Sequence, residues 1–299
     1  MTRETLRWGN PPTGIFNAPV YLGLARGTLG TWGGRVEARD NRTGADYTDA
    51  LVAGEFDMGH MGTPPLFAAL LRTDEYAIVG QGVVRYPCFY VLAPPDVASV
   101  KDLTRRAVAL NKLRTCPHSI IRTLLRWNGV AERDVELRTL VDGWRINEAI
   151  GRAEVAAAVN WEPYVSQAER VHGWRVLADG RTVIVPSNYG FFLYARRRLI
   201  AGEPGVVRRM VEDYGACVRY AMEHLDEAAA TLYGRLPNIL PEDVDRAIRR
   251  DAPNWTSDTS LDRAFLGVVL EELRAQGIIP ADFSAAPYLA TVPAAPSPA

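Results

Sequence analysis

Side chains able to do acid–base or nucleophilic chemistry lie beside several predicted strand-to-helix junctions. They are His60, Cys116, His118 and Glu162. An imidazole or a carboxylate can act as a general acid or base, and a thiol at a helix start has a lowered pKa that favours the thiolate. Each also has a purely structural interpretation, since interior histidines and buried cysteines are often inert. The residue types therefore permit catalysis without establishing it.

The same junctions supply groups that can bind a small anion. Helix N-termini present N–H groups and the positive end of the helix dipole, and arginine forms paired hydrogen bonds to a carboxylate or a sulfonate. Aromatic side chains can form the apolar walls of a pocket. For Asn17 and Thr63, helix capping alone is the alternative. The candidate ligand-binding residues are Asn17, His60, Gly62, Thr63, Arg85, Arg114, Cys116, His118, Ser119, Trp161, Glu162, Asn188 and Tyr189.

The stretch from Gly54 to Leu71 shows how such a junction is encoded. Alternating apolar residues up to His60 predict a strand. Thr63 is then predicted to cap a helix, with Pro64 and Pro65 in its first turn. In an α/β sheet this junction lies at the carboxyl edge of a strand, where a ligand can approach the helix N-terminus.

Strands alternate with helices in the first part of the chain and again in its middle, which predicts parallel-rich sheets with helices on both faces. The alternation is interrupted near Ala93 and near Pro186. We therefore predict an α/β protein of two lobes, the first built from residues 1–93 with 190–299 and the second from residues 94–189. Two chain segments form the hinge, and the ligand cleft lies between the lobes.

Composition excludes several classes of function. The 299 residues carry a formal net charge of −1, which argues against a general nucleic-acid or membrane-surface binder. The three cysteines are widely spaced and show no metal-ligand pattern, so we predict neither a disulfide framework nor a metal site, and no cofactor.

No run of residues is apolar and long enough to span a membrane. The first ten residues lack the apolar segment of a signal peptide, so we expect a cytoplasmic protein, or a periplasmic or extracellular one if Met1 is not the native start.

Four segments resemble the binding proteins for aliphatic sulfonates, taurine and nitrate. GEFDMGHMGTPPLFAAL resembles their AGxxDfgxxGtPPlf stretch, and NKLRTCPHSIIRTLLRWNGV resembles the helix start that follows in the sulfonate binders. VAAAVNWEPYVSQA resembles a strand and turn of the family, and SNYGFFLYARRRLI its return strand, so the match runs from about Leu6 to Ala230. The resemblance implies a type II periplasmic-binding-protein fold. It also implies a small anionic or zwitterionic organic ligand, such as a sulfonate or carboxylate, and an ABC permease as partner.

Cytosolic enzymes belong to the same superfamily, among them the aromatic sulfinate desulfinase and the thiamin pyrimidine precursor synthase. The desulfinase carries a nucleophilic cysteine in the first strand-to-helix loop, but the corresponding loop here, Asn10 to Asn17, contains none. The cysteine-rich motif and the active lysine of the pyrimidine synthase are also missing. We therefore expect a binding protein. The alternative is a desulfinase-, lyase-, hydrolase- or decarboxylase-like enzyme that uses His60, Cys116, His118 and Glu162.

Overall fold

The computed structural model describes residues 4–84, 88–179 and 190–290. Its strands are β1 (Thr5–Asn10), β2 (Arg35–Asp40), β3 (Met58–Gly62), β4 (Tyr76–Gln81), β5 (Phe89–Ala93), β6 (Ala107–Leu110), β7 (Glu136–Thr139), β8 (Ala157–Trp161), β9 (Arg175–Asp179) and β10 (Phe191–Arg196). Its helices are α1 (Ala18–Ala25), α2 (Gly44–Val52), α3 (Thr63–Leu70), α4 (Cys116–Trp127), α5 (Gly143–Gly151), α6 (Tyr164–His172), α7 (Arg197–Gly202), α8 (Pro204–Glu223), α9 (Leu225–Ala230), α10 (Pro241–Asp251) and α11 (Arg263–Ala275). No helix among these residues is long and apolar enough to cross a membrane.

The strands form two five-stranded sheets with the same pattern of directions. The first has the order β2-β1-β3-β10-β4, in which β1 is parallel to β2 and β3 while β10 is antiparallel to its neighbours. The second has the order β7-β6-β8-β5-β9, in which β6 is parallel to β7 and β8 while β5 is antiparallel to its neighbours. In each sheet the parallel strands therefore end at one edge, where the loops to the following helices begin.

The strand β5 belongs to the second sheet, where Val91 pairs with Val159 of β8. The predicted boundary at residue 93 had placed this strand in the first lobe. The chain instead passes from the first sheet to the second between the end of β4 at Gln81 and the start of β5 at Phe89. Local sequence identifies β5 as a strand but not its partner, because the partner lies far along the chain.

Glycine in β3 allows the first sheet to pack closely. A Cβ atom on Gly59 would lie 2.4 Å from the carbonyl oxygen of Gly9 and 2.6 Å from the hydroxyl oxygens of Tyr47 and Tyr194. Those two hydroxyl groups are hydrogen-bonded to each other at 2.7 Å inside the core. Any side chain at this position would therefore separate β3 from β1.

The C-terminal helices tie the two halves of the molecule together. Arg250 of α10 donates to Glu162, directly after β8, at 2.9 Å and to Glu169 of α6 at 2.5 Å. Gln276, which follows α11, accepts a hydrogen bond of 2.5 Å from the Ser119 hydroxyl in α4. The second sheet is thus held to the rest of the chain by buried polar contacts as well as by the connecting segments.

Candidate functional site

A cleft between the two sheets is lined by strand ends and helix starts. The part bounded by described residues has a volume of about 20 Å³. A cavity of that size holds about one water molecule, so an organic ligand fits there only if the facing elements move apart. The elements around the first sheet contribute Pro11, Pro12, Phe16, Gly44, Tyr47, Met61, Gly62, Pro65 and Phe191. Those around the second contribute Phe89, Asn111, Thr115, Cys116, Pro117 and Trp161.

The start of α3 has fewer hydrogen-bond donors than the sequence suggests. Gly62 occupies the N-cap position and Thr63 is the first helical residue, so the prediction that Thr63 is the cap is wrong. The Thr63 N–H and hydroxyl both donate to the Gly190 carbonyl, at 3.2 and 2.6 Å. Pro64 and Pro65 have no N–H group. This helix end therefore contributes its dipole and little direct hydrogen bonding.

The start of α4 has more free hydrogen-bond donors than the start of α3. Its first turn has N–H groups at Cys116 and His118, because Pro117 has none and the Ser119 N–H donates to the Thr115 carbonyl at 3.0 Å. N–H groups in the first turn have no acceptor within the helix. They carry the partial positive charge of the helix N-terminus, which favours a bound anion.

Asn111, at the end of the strand before α4, was not among the predicted site residues. Its side chain lines the cleft and is 2% exposed. Its Oδ1 atom accepts from the Lys112 N–H at 2.7 Å and lies 2.8 Å from the Thr115 hydroxyl oxygen. These contacts fix the amide orientation and leave Nδ2 without a protein partner among the described residues. The signal in the sequence was a polar residue directly after a buried strand, five residues before a helix start.

A row of aromatic rings crosses the cleft from one sheet to the other. The ring centroids of Phe191 and Phe16 are 5.1 Å apart, those of Phe16 and Phe89 are 6.5 Å apart, and those of Phe89 and Trp161 are 6.1 Å apart. The Trp161 indole N–H donates to the Thr13 carbonyl at 3.1 Å, which joins the second sheet to the loop after β1. Of these four rings, only Trp161 was among the predicted site residues. Aromatic rings therefore form one continuous part of the cleft wall.

His60 lies in the core of the first sheet and does not line the cleft. Its Nε2 atom is 3.1 Å from Asn10 Oδ1, and its Nδ1 atom is 3.0 Å from the Tyr214 hydroxyl oxygen. Tyr214 accepts a hydrogen bond from the Val83 N–H at 2.9 Å, so its own proton is free to donate to Nδ1, and the ring hydrogen lies on Nε2. Burial lowers the pKa of His60 to about 3. The side chain is a neutral, fully hydrogen-bonded interior histidine, as the structural interpretation predicted.

Glu162 is also fully buried and does not line the cleft. Its Oε1 atom accepts from Arg250 at 2.9 Å and from the Ser166 hydroxyl at 3.0 Å, while Oε2 accepts from the Ser166 N–H at 3.0 Å. Burial, together with the negative charge of Asp251, raises the pKa of Glu162 to about 8. Its contacts connect α10 to the second sheet.

Cys116 lines the cleft, where its Sγ atom would lie 2.5 Å from a Cβ on Gly62. Burial raises the pKa of this thiol to about 12, so the predicted lowering by the helix N-terminus is outweighed. His118 does not line the cleft; its Nδ1 atom accepts from the Arg114 N–H at 3.1 Å, and its Nε2 atom lies 3.2 Å from Glu132. Burial lowers the pKa of His118. The side chain of Arg114 is exposed and does not line the cleft.

Of the remaining predicted residues, the structure describes Asn17 and Ser119. Asn17 does not cap α1 with its side chain, which instead donates to the carbonyls of Pro11 and Pro12 at 3.3 and 3.2 Å and so shapes the loop at the cleft. The Ser119 hydroxyl is directed to Gln276. Arg85, Asn188 and Tyr189 lie outside the described residues. Of the predicted residues that the structure describes, Gly62, Cys116 and Trp161 line the cleft.

The described residues contain no group of three or more His, Cys, Asp or Glu side chains that could hold a metal ion.

Curated proteins with similar sequences are named as binders of aliphatic sulfonates. One from Bacillus subtilis (strain 168) is 24% identical over 214 residues, which is 71% of this chain and 63% of that protein. One from Escherichia coli (strain K12) is 29% identical over 155 residues, which is 51% of this chain and 47% of that protein. The matched part of the chain thus spans less than two thirds of either relative.

Solved structures show the same fold. The alkanesulfonate-binding protein SsuA from Xanthomonas axonopodis pv. citri superimposes with a TM-score of 0.82 at 19% identity, over 97% of this chain and 99% of that chain. This likeness confirms the type II periplasmic-binding-protein fold predicted from the sequence. The model of the family described as NMT1/THI5 like matches residues 17–228, which is more than half of the 299 residues. The chain belongs to the NMT1/THI5-like family.

Proposed function

We propose that the cleft binds a small organic anion, of the sulfonate or carboxylate class, and that the protein acts as a substrate-binding protein for an ABC permease. The observation that carries the proposal is the meeting of helix starts from both halves of the molecule at one cleft, beside Asn111 Nδ2, which has no hydrogen-bond partner within residues 4–84, 88–179 and 190–290. Backbone N–H groups and neutral amides bind oxyanions without a metal. The names of the curated relatives support the sulfonate class.

Ligand entry in this proposal requires the two sheets to separate. We propose lobes that follow the sheets, with residues 4–84 and 190–290 moving against residues 88–179. The aromatic row and the Trp161 contact to Thr13 cross this boundary, so they would part when the cleft opens. A substrate-binding protein delivers its solute to the outer face of the permease, so this proposal also locates the protein outside the cytoplasm.

The positions of the four candidate catalytic side chains favour binding over turnover. His60 and Glu162 are fully buried and engaged in structural hydrogen bonds. Cys116 has a raised pKa, and His118 is paired with Glu132 on another side of α4. A general acid or base must reach the substrate within hydrogen-bonding distance. These four do not meet at one point.

Isothermal titration calorimetry of the purified chain tests the proposal. The panel contains sulfonates, carboxylates, neutral heterocycles and organic cations at matched ionic strength. We expect saturable binding of at least one sulfonate or carboxylate with a stoichiometry of one. Binding confined to neutral or cationic compounds contradicts the proposal.

A further inference from the structure

The wall chemistry of the cleft narrows the ligand class. We infer that the ligand is a monoanion with a flat aromatic body and no ammonium group, whose acidic head lies at Asn111 and the start of α4. This inference rests on the proposed function and deepens it. It concerns the three parts that such a ligand presents to the protein, which are the ring, the head and the overall charge.

The row of aromatic side chains is the reason for inferring an aromatic ring in the ligand. Phe16, in the short 3-10 turn before α1, faces Phe89 of β5 across the cleft, and their ring centroids are 6.5 Å apart with an interplanar angle of 46°. Phe191 and Trp161 extend the row on either side, in edge-to-face geometry of 72° and 73° with their neighbours. When the sheets separate, Phe16 and Phe89 lose their contact across the cleft. A flat aromatic ligand restores the edge-to-face and stacked contacts that aromatic side chains prefer, which a short alkyl chain or an inorganic anion cannot do.

Asn111 and the start of α4 are the reason for placing the acidic head group of the ligand at this end of the cleft. The Asn111 side chain is almost completely buried, and its Nδ2 donor lacks a protein partner among the described residues while its Oδ1 is held by the Lys112 N–H. The twelve-residue helix α4 begins five residues later and presents the N–H groups of Cys116 and His118 at the same end. These donors suit the oxygen atoms of an acidic head group, and the helix dipole favours its negative charge.

Three carboxylates near the cleft, those of Asp40, Asp46 and Glu162, already accept hydrogen bonds from other side chains, which bears on the overall charge of the ligand. Asp40 accepts from two hydroxyl groups and one amide, Asp46 from one lysine, and Glu162 from one arginine and one serine. The donors are Thr13, Tyr21 and Asn10 for Asp40, Lys112 for Asp46, and Arg250 and Ser166 for Glu162. An ammonium group in the ligand would have to displace one of these partners to find a counter-charge, so a zwitterion is disfavoured.

Calorimetry with benzenesulfonate, methanesulfonate and taurine (2-aminoethanesulfonate) tests the inference on the full chain. We expect benzenesulfonate to bind about tenfold more tightly than either of the others. A tenfold difference in affinity corresponds to about 1.4 kcal/mol, which is within the range that one aromatic contact contributes. Taurine or methanesulfonate binding as tightly as benzenesulfonate overturns the inference and leaves the proposed function standing. Failure of every sulfonate and carboxylate to bind overturns both.

Substitutions separate the ring contacts from the head contacts. Phe89→Leu keeps an apolar side chain but removes a ring, and should weaken benzenesulfonate about tenfold with less than about threefold effect on methanesulfonate. Phe16→Leu is the second ring variant, to be used if the first does not fold. Asn111→Ala should weaken both ligands by a similar factor, because both share the head group. Asn128→Ala, at the opposite end of α4, is the matched control and should change neither. An equal loss of both ligands in the ring variants, or unchanged affinity in Asn111→Ala, contradicts the inference.

Discussion

Replacing His60 with glutamine should remove a large part of the acid sensitivity of the fold. Burial lowers the pKa of His60 from 6.5 in the unfolded chain to about 3 in the folded protein. Between these values the unfolded state binds more protons, so the free energy of unfolding falls as the pH falls. One pKa unit corresponds to about 1.4 kcal/mol, so the stabilisation present above pH 6.5 decreases by about 2 kcal/mol at pH 5. The loss continues until the pH reaches the folded-state pKa.

The assay is urea unfolding at pH 8 and at pH 5, for the parent chain and for His60→Gln. At pH 8 the variant should be less stable by about 1–3 kcal/mol, because the Tyr214 hydroxyl loses its acceptor in a buried site. The variant should lack the contribution of His60 to the difference between the two pH values, about 2 kcal/mol. Burial also lowers the pKa of His172, but that imidazole is only partly buried, so His172→Gln serves as the control and should retain the difference.

Two results would refute this reasoning. One is a His60→Gln variant with the same pH dependence as the parent. The other is an NMR titration that gives His60 a pKa near 6.5, since a histidine that titrates there is solvated. Either would return His60 to the group of candidate acid–base residues.

Three further predictions follow from contacts elsewhere. In urea unfolding at pH 9, above the raised pKa of Glu162, Arg250→Met should cost about 3–5 kcal/mol, because it leaves the buried carboxylate without its cation. The adjacent pair of Arg249 with Asp226 is exposed, so Arg249→Met should cost about 1 kcal/mol or less, and equal losses in the two variants would contradict the buried link. Gly59→Ala should destabilise by about 1–3 kcal/mol or more because of its close backbone contact, while Gly267→Ala, with no atom within 4 Å, should stabilise α11 by about 0.5–1 kcal/mol; a neutral Gly59→Ala variant would show that β1 and β3 are less tightly packed. Thiol labelling at pH 8 should be slow in the native protein and fast in urea, because burial raises the pKa of every cysteine, and rapid native labelling would contradict the burial of Cys88, Cys116 and Cys217.

The sequence predicted the fold well because its signals are local. Periodic apolar residues, helix-starting prolines and the change between strand and helix patterns all lie within short windows, and they identified β3, α3 and α4 close to their observed bounds. The sheet to which β5 belongs could not be predicted from the local sequence, because strand pairing depends on a partner distant in the chain.

The side chains of the site were harder to predict. β3 is buried along its whole length, so alternation along the strand could not show whether His60 faces the cleft or the core. Its hydrogen-bond partner Tyr214 comes from α8, far along the chain. At Cys116 the helix dipole and burial shift the pKa in opposite directions, and only the packed structure shows that burial is the larger effect. Asn111 went unrecognised because a single asparagine at a strand end has no distinctive pattern.

The most direct test of the account is a crystal structure of the protein with bound benzenesulfonate. The account predicts sulfonate oxygens within about 2.7–3.2 Å of Asn111 Nδ2 and of the first N–H groups of α4. It also predicts the benzene ring in contact with Phe16 and Phe89, between two sheets that lie further apart than they do without ligand. A sulfonate bound outside the cleft between the sheets would contradict the account.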